Sequence, residues 1–326
     1  MYSLALVGPY PKGVYEQIRG NLPMDWNITC IETQQELDEC RDLVYVILRT
    51  HKMNADLINA NPNLCIIQRW GVGYDTVDID AAGKRGIPVT IAANINSHSV
   101  AEHTIALMLS SLRNIVPMAV FTMAGAWDRI SYAEKTYMLS EKKIGLLGCG
   151  AIGKKVAELS SALGAKLSYY DSCRLSEVLE KQMGLTYLPL DEIFSQSDII
   201  SLHMPLTDQT KNIVNKTRIN LMKPTALLIN TARGGLIDEI VLAEALTNGK
   251  IFGAALDCLS EEPYPIDGCL RGVPNLLLTP HVGGTAVELN LYMARRVCEN
   301  VLKVARGQPL QAIELVNKEL CGYKTE

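Results

Sequence analysis

The 326-residue sequence has no excess of positive charge, no regular cysteine framework and no long apolar run. Its formal net charge of −4 gives no electrostatic reason to expect binding to nucleic acid or to an anionic membrane. The nine cysteines are scattered without a CxxC pair, which predicts reduced thiols rather than a disulfide or zinc framework. No window approaches the roughly 20 apolar residues that span a bilayer, and the N-terminus has no basic leader. Together these absences predict a cytoplasmic protein.

What the sequence does have is an alternation of short apolar strands and more polar helical segments. In the first hundred residues the strand candidates are 2–8, 27–32, 43–49, 63–70 and 87–92. Later in the chain they are 143–148, 166–171, 198–203, 225–230, 252–257 and 275–279. Helices are predicted over 99–115 and 288–307, with a looser segment at 118–141. The alternation predicts an α/β protein with two doubly wound parallel-sheet units.

A glycine-rich turn follows one of these strands, in the stretch IGLLGCGAIGKKVAE at residues 144–158. Gly148 permits a tight turn, Gly150 lets the backbone approach a pyrophosphate, and Gly153 allows close packing of helix on strand. The N-terminus of the helix that follows offers free N–H groups and the positive end of a dipole to the phosphates. The turn therefore predicts a dinucleotide site.

The next predicted strand ends at Asp171. A carboxylate at this position accepts hydrogen bonds from the adenosine ribose hydroxyls and repels a 2′-phosphate, so NAD is the expected cofactor. Arg174, three residues further on, leaves the alternative open, because a nearby arginine can accommodate the 2′-phosphate of NADP.

Three further strand ends carry residues suited to chemistry on a carboxylate substrate. Arg233 follows a strand in LLINTARGGLID, and a guanidinium can hold a carboxylate with two hydrogen bonds. Asp257 ends the next strand, and His281 follows the last one in NLLLTPHVGG. Because the carboxyl ends of parallel strands face the ligand crevice, we expect these side chains at one edge, where a histidine can move a proton near neutral pH.

The segments GCGAIG, NTARGG, DCLSEEP and TPHVGG, with GVGYDTVD and VAEHTIALML upstream, resemble in type and order those of the D-isomer-specific 2-hydroxyacid dehydrogenases. The similarity extends over nearly the whole chain. It implies an NAD-binding Rossmann domain at 99–285, inserted in a flavodoxin-like substrate domain made of 1–98 and 286–326. It also implies hydride transfer between NADH and a 2-keto acid.

The resemblance assigns roles to individual residues. Arg233 is expected to bind the substrate carboxylate, and His281 to give a proton to the keto oxygen. Glu262, which precedes a proline, is expected to pair with His281 and raise its pKa. The expected cofactor contacts are Gly148, Gly150, Ala151, Ile152, Gly153, Asp171, His203, Pro205, Thr231, Ala232, Asp257 and Gly283. No metal is expected.

Substrate contacts are also expected in the N-terminal part of the chain. The backbone N–H groups of Val72 and Gly73, in a glycine-rich turn, are expected to bind the far side of the substrate carboxylate. The loop containing Asn96 and the basic residue Arg49 look most like the phosphoglycerate dehydrogenase branch, which makes 3-phosphoglycerate the leading substrate candidate. A solvated loop explains Arg49 about as well, so the alternative is a reductase of glyoxylate, hydroxypyruvate or another 2-keto acid.

A different class of protein shares this resemblance. NAD-sensing corepressors keep the fold and often the catalytic residues, although they usually add disordered interaction tails. The expected partners here are a small 2-hydroxy or 2-keto acid and a second copy of the chain, since members of the family are commonly homodimers.

Overall fold

Each of two units is built around one parallel β-sheet. In the computed structural model, which describes residues 2–326, one unit runs through Asn96 and resumes at Thr285–Glu326, and the other is Ser97–Gly284. The first part of unit 1 contains β1 (Tyr2–Val7), α1 (Val14–Gly20), β2 (Trp26–Ile31), α2 (Gln34–Asp38), β3 (Tyr45–Leu48), α3 (Ala55–Ala60), β4 (Ile66–Arg69), α4 (Ile79–Lys84) and β5 (Val89–Thr90).

The sheet of unit 1 has the strand order β2-β1-β3-β4-β5, and every neighbouring pair is parallel. This is the flavodoxin-like order. Strands β3 and β4 are buried along their whole length, as expected for a parallel sheet covered on both faces. The fold expected for this unit is therefore confirmed.

Unit 2 contains a larger sheet and most of the helices. Its strands are β6 (Lys143–Leu147), β7 (Lys166–Tyr170), β8 (Leu185–Tyr187), β9 (Ile199–Leu202), β10 (Leu227–Asn230), β11 (Gly253–Leu256) and β12 (Leu276–Leu278). Its helices are α5 (Ser97–Leu112), α6 (Ile115–Met123), α7 (Arg129–Ala133), α8 (Ala151–Ala162), α9 (Glu177–Met183), α10 (Leu190–Gln196), α11 (Lys216–Leu221) and α12 (Glu239–Thr247), with a 3-10 turn at Gly234–Leu236.

The seven strands of unit 2 are ordered β8-β7-β6-β9-β10-β11-β12, and all pairs are parallel. Counted from β6, the order 3-2-1-4-5-6 is that of a Rossmann fold, extended by one strand. The direction of strand addition reverses between β6 and β9, and ligands bind outside the carboxyl ends of the strands at such a point. The Rossmann expectation is confirmed.

The chain then returns to unit 1 through α13 (Val287–Ala305), a 3-10 turn at Ala312–Glu314 and α14 (Lys318–Cys321). Helix α13 buries Val297 and Val301 against Leu4 and Ile18 of the first part of the chain. Asn317 accepts the N–H of Val89 at 2.9 Å, so the C-terminal segment also closes the edge of the sheet.

Three expectations about local structure are corrected. The helix predicted over 99–115 ends at Leu112, because Asn114 adopts a left-handed conformation with φ of 50° and a new helix starts at an angle of 62°. The segment predicted as loose at 118–141 contains the end of α6 and all of α7. The short edge strand β8 was not predicted, since three residues carry too little pattern.

Among residues 2–326, no single helix is long and apolar enough to cross a membrane. Helices α5 and α6 taken together have the length and composition of a membrane span, but the chain bends by 62° between them. Helix α5 buries Ala101, Ile105 and Met108 in a cluster that includes Val156 and Ala157 of α8.

Candidate active site

The structure explains in a different way why each of the three positions in the dinucleotide turn is a glycine. Gly148 has φ of 95°, and a Cβ there would lie 2.6 Å from the carbonyl oxygen of His203. A Cβ on Gly153 would collide with the carbonyl of Gly148. A Cβ on Gly150 would meet nothing within 4 Å. The protein itself thus requires the first and third glycines, while the space at the second is open to a ligand.

Helix α8 begins directly at this open space. Its N-cap is Gly150, which has no side chain to cap the helix, and Ala151 and Ile152 form the first turn. The first N–H groups of a helix lack partners within the helix and favour anions. The turn therefore fits a pyrophosphate, with Gly148, Gly150 and Gly153 in the arrangement expected from the sequence.

Asp171 lies at the carboxyl end of β7 and is tied to the glycine turn. Its Oδ2 accepts the N–H of Cys149 at 2.8 Å, and its Oδ1 accepts the N–H of Cys173 at 3.0 Å. Cys149 is buried, and burial raises the pKa of its thiol to about 11. The carboxylate is thereby fixed next to the loop that receives the phosphates.

His203 lies at the end of β9, beside Gly148. Its Nε2 is 2.9 Å from the Ser201 hydroxyl, and its buried Nδ1 has no hydrogen-bond partner within the described range 2–326. Burial lowers the pKa of His203 to about 3, so the ring is neutral near pH 7. A neutral ring is suited to contact rather than to proton transfer. Pro205, two residues on, is exposed.

Arg233 is presented by a turn that Asn230 holds together. The side chain of Asn230 donates to the Arg233 carbonyl at 2.8 Å and accepts the Ala232 N–H at 3.0 Å. The Thr231 hydroxyl is buried and lies 2.8 Å from that of Thr104 on α5. The guanidinium of Arg233 donates to the Ala232 carbonyl at 2.6 Å. This turn fixes the start of the Arg233 side chain at the end of β10.

Asp257 is the hub of the neighbouring loop. Its Oδ1 accepts the Thr279 hydroxyl at 2.6 Å and the Val282 N–H at 2.9 Å, and its Oδ2 accepts the Gly283 N–H at 2.8 Å. Its carbonyl also accepts the His281 N–H at 2.8 Å. The carboxylate is 2% exposed, so it holds the loop that carries the histidine in place.

His103 on α5 contacts both Asp257 and Thr279. Its Nε2 lies 3.1 Å from the Thr279 hydroxyl and 3.3 Å from Asp257 Oδ1. His98, one turn earlier, instead pairs with Glu102 at 3.0 Å. The two histidines thus have different partners and different roles.

His281 and Glu262 form the pair expected from the sequence. His281 Nδ1 lies 2.7 Å from Glu262 Oε2, and the other carboxylate oxygen accepts the Leu259 N–H at 2.9 Å. His281 has φ of 54°, a left-handed conformation that is uncommon for a residue with a side chain and costs energy. The loop held by Asp257 imposes this conformation and directs the ring toward the carboxylate.

The surroundings of His281 favour its protonated form. Cys258 and then Glu262 raise the pKa of His281 to about 10, against the effect of partial burial. The sulfur of Cys258, a carboxylate oxygen of Glu262 and a ring nitrogen of His281 all lie within 4.8 Å of one another. Burial acts to raise the pKa of Glu262, but the hydrogen bonds from His281 and Leu259 outweigh it, and the net shift is downward.

The candidate residues of unit 2 therefore share one edge of its sheet. Arg233, Asp257 and His281 follow β10, β11 and β12, which are adjacent strands. The backbone of Gly234 packs so closely on the Leu259 carbonyl that a Cβ there would collide with it. This contact brings the arginine turn against the loop that leads to Glu262.

Unit 1 carries the expected substrate residues at the carboxyl ends of its own strands. Arg69, the last residue of β4, donates from Nε to the Gly73 carbonyl at 2.7 Å and so shapes the turn that contains Val72. Asn96, which follows β5, has a buried Oδ1 without a hydrogen-bond partner in the described part of the chain. Both features are compatible with a ligand at this edge of unit 1.

The basic residues after β3 engage separate groups. The Arg49 guanidinium donates to the Pro9 carbonyl, and His51 Nε2 lies 2.8 Å from the Glu32 carbonyl. Two basic side chains that contact different backbone carbonyls do not form a shared anion site. The structure thus gives the phosphate interpretation of this segment no support.

Several residues of the site were missed at the sequence level. Asn230 orders the Arg233 turn, Thr279 and His103 contact Asp257, and Cys258 lies against His281. All four lie within segments that carry the family resemblance, but those segments do not reveal their partners in the fold.

The site can now be compared with known proteins. Residues 105–283 match the family model described as the NAD-binding domain of D-isomer-specific 2-hydroxyacid dehydrogenases. The chain belongs to this family. It is an NAD-dependent oxidoreductase, and NAD is its cofactor.

Two curated relatives and one solved structure show how this dehydrogenase compares. The glyoxylate reductase of Aeropyrum pernix is 36% identical over 284 residues, which are 86% of this chain and 84% of that one. The D-3-phosphoglycerate dehydrogenase of Bacillus subtilis is 40% identical over 261 residues, 80% of this chain and 49% of that one. The NADPH-dependent glyoxylate/hydroxypyruvate reductase of Sinorhizobium meliloti superposes with a TM-score of 0.83 at 26% identity, and the match covers 100% of both chains.

These relatives do not confirm the lead given to 3-phosphoglycerate. Glyoxylate reductases match this chain over most of their own length, whereas the D-3-phosphoglycerate dehydrogenase matches over 49% of its length, so the alternative of a glyoxylate/hydroxypyruvate or related 2-keto acid reductase is better supported.

Proposed function

We propose that this dehydrogenase uses NADH to reduce a small unphosphorylated 2-keto acid, with glyoxylate and hydroxypyruvate as the leading candidates. The observation that carries the proposal is the pair of His281 Nδ1 and Glu262 Oε2 at 2.7 Å, on a strand end next to that of Asp257. It provides a proton donor at the edge where this family binds its cofactor.

The residues have distinct tasks in this proposal. Arg233 binds the substrate carboxylate through its planar guanidinium and polarises the keto oxygen. His281 gives its proton to that oxygen, which becomes the hydroxyl of the product. Bound NADH supplies the hydride that goes to the carbonyl carbon. Glu262 stabilises the imidazolium and holds the ring in place, while Asp257 fixes the loop.

The charge state of His281 favours the reductive direction. With its pKa raised to about 10, the ring carries its proton throughout the neutral range, which is the form that reduction consumes. Oxidation needs the neutral ring as a base and therefore requires higher pH. The same residues can catalyse the reaction in both directions, but near pH 7 most enzyme molecules have the protonated His281 that reduction requires.

The remaining site residues are proposed contacts of the cofactor and substrate. We assign the pyrophosphate to the turn of Gly148, Gly150 and Gly153, where the open space at Gly150 supports this role. The proposed ribose and nicotinamide contacts are Asp171, His203, Pro205, Thr231, Ala232, Asp257 and Gly283. The proposed substrate contacts of unit 1 are Val72, Gly73 and Asn96.

A substrate panel tests the choice of keto acid. NADH consumption is measured with glyoxylate, hydroxypyruvate, pyruvate and 3-phosphohydroxypyruvate for the wild type, Arg49→Ala and the matched surface variant Arg41→Ala. We expect a small unphosphorylated acid to give the highest kcat/KM and both variants to match the wild type. A preference for the phosphorylated acid that Arg49→Ala abolishes would instead favour serine synthesis. Binding of NADH without turnover of any keto acid would favour the NAD-sensing alternative.

We also propose that the chain forms a homodimer through the surface of α6 and the segment after it. Helix α6 has no buried residue, and Val120, Met123, Trp127 and Ile130 are all at least 66% exposed. Exposed apolar residues that are grouped in one segment in this way are typical of an interaction site. In light scattering, we expect the wild type to be a dimer and Val120→Lys to be a monomer. Met24→Lys, at an apolar position of unit 1 that is 93% exposed, is the control and is expected to remain dimeric.

The cytoplasmic location stays a prediction, which cell fractionation tests.

A further inference from the structure

The loop that follows β7 carries Arg174, three residues after Asp171, and an arginine near this carboxylate can accommodate the 2′-phosphate of NADP. This loop is tied down at two points, because Asp171 accepts the Cys173 N–H at 3.0 Å and the Tyr169 hydroxyl accepts the Leu175 N–H at 2.9 Å. Arg174 lies between these two anchors. Its backbone is therefore held close to the carboxylate expected to bind the ribose.

One carboxylate binds two of the three guanidinium nitrogens of Arg174. Its Nε donates to Glu180 Oε1 at 2.8 Å and its Nη2 to Glu180 Oε2 at 2.9 Å, a two-pronged pair. Its guanidinium also lies over the ring of Tyr187, 5.0 Å from the centroid. The arginine is thus directed at α9 and β8, which are parts of its own domain.

Glu180 is itself held in place. It is 8% exposed, and its Oε1 accepts the Tyr169 hydroxyl at 2.6 Å in addition to the bond from Arg174. Arg174 first and Tyr169 second lower the pKa of Glu180 to about 2, so the carboxylate is ionised at any physiological pH. The positive charge of Arg174 is therefore neutralised at short range.

We propose that Glu180 is a specificity-determining residue, which favours NAD over NADP by holding Arg174 away from a 2′-phosphate. A guanidinium that is bound on two nitrogens and neutralised by a carboxylate offers little attraction to a dianionic phosphate, and Asp171 repels it as well. The fold alone does not decide between NAD and NADP, since the similar reductase of Sinorhizobium meliloti is NADPH-dependent. Here the choice depends on a pair outside the ribose site.

Calorimetric binding of 2′,5′-ADP and 5′-ADP tests the proposal without catalysis. Their affinity ratio is measured for the wild type, Glu180→Gln, Arg174→Ala/Glu180→Gln and Glu177→Gln. Glutamine can still accept the Tyr169 hydroxyl but frees the charge of Arg174. We expect Glu180→Gln to raise the affinity for 2′,5′-ADP about tenfold relative to 5′-ADP, as one new charge-assisted contact would. The double variant is expected to return to the wild-type ratio.

Glu177, an exposed acidic residue in the first turn of the same helix, is the matched control for loss of negative charge. An equal gain in Glu177→Gln would overturn the proposal, because the effect would be general electrostatics. So would a folded Glu180→Gln with an unchanged ratio. If Glu180→Gln fails to fold, the double variant still decides: a ratio below that of the wild type would show that Arg174 already binds the phosphate.

Discussion

His281 Nδ1 lies 2.7 Å from Glu262 Oε2, although the two residues belong to different loops at the carboxyl edge of one sheet. The pair depends on Asp257, whose carboxylate and carbonyl together bind four groups of the histidine loop. The buried Asp257 thus fixes the backbone of the histidine loop, and the exposed Glu262 fixes the orientation of the His281 ring. Catalysis in this account depends on both.

Replacement of His281 by alanine removes the proton donor. We expect kcat for keto-acid reduction to fall by roughly 10²–10⁴, the usual contribution of general acid catalysis. Binding of NADH, measured by fluorescence titration, is expected to stay within twofold of the wild type. His98→Ala, at an exposed histidine paired with Glu102, is the control. Undiminished turnover in His281→Ala would exclude the residue as the acid.

Glu262→Gln keeps the shape of the pair but removes its charge. Since Glu262 raises the pKa of His281, its loss is expected to lower that pKa and to move the alkaline limit of reduction to lower pH. Reduction uses the protonated ring of His281. If the pKa of His281 falls, the ring loses its proton at a lower pH, and reduction declines there. The measurement is the pH profile of kcat/KM, and an unchanged profile would contradict the pairing.

Cys258→Ala tests the second neighbour of the histidine. The thiol lies in the same cluster and also raises the pKa of His281, so the variant is expected to shift the alkaline limit in the same direction as Glu262→Gln. Cys298→Ala, at a buried cysteine of unit 1, is the matched control and should leave the profile in place. Equal profiles for both cysteine variants and the wild type would mean that Cys258 only fills space.

Two glycines of the dinucleotide turn are expected to respond in opposite ways to alanine. Gly153→Ala forces a Cβ against the Gly148 carbonyl and is expected to lower the free energy of unfolding by about 1–3 kcal/mol, as overpacking does. Gly150→Ala meets no protein atom within 4 Å, so it should fold normally and bind NADH more weakly. Denaturant melts and NADH titrations separate the two outcomes. Normal NADH affinity in Gly150→Ala would place the pyrophosphate elsewhere.

The parts of this structure that depend on local pattern were predictable from the sequence. The turn before α8 was predictable from the spacing of Gly148, Gly150 and Gly153, and the long buried strands were predictable from apolar runs. Short elements were harder, since β8 has three residues and the break at Asn114 interrupts an otherwise helical pattern. In both cases the surrounding tertiary structure decides the conformation.

Long-range polar contacts could not be predicted in the same way. Thr279, which follows β12, and His103, on α5, contact Asp257, which follows β11, and the segments that contain the two residues do not reveal these pairings. Arg49 was a candidate substrate contact through the resemblance to phosphoglycerate dehydrogenases, but its guanidinium donates to the Pro9 carbonyl. A side chain's partner depends on the fold around it, which a single segment does not contain.

The most direct test of the account is the stoichiometry of reduction by the wild type and His281→Ala. The enzymes are incubated with NADH and glyoxylate, and the loss of NADH and the formation of glycolate are followed together. We expect one glycolate for each NADH consumed by the wild type near pH 7 and little of either change in the variant. If NADH binds but the wild type forms no hydroxyacid from glyoxylate or any other 2-keto acid, the account is contradicted.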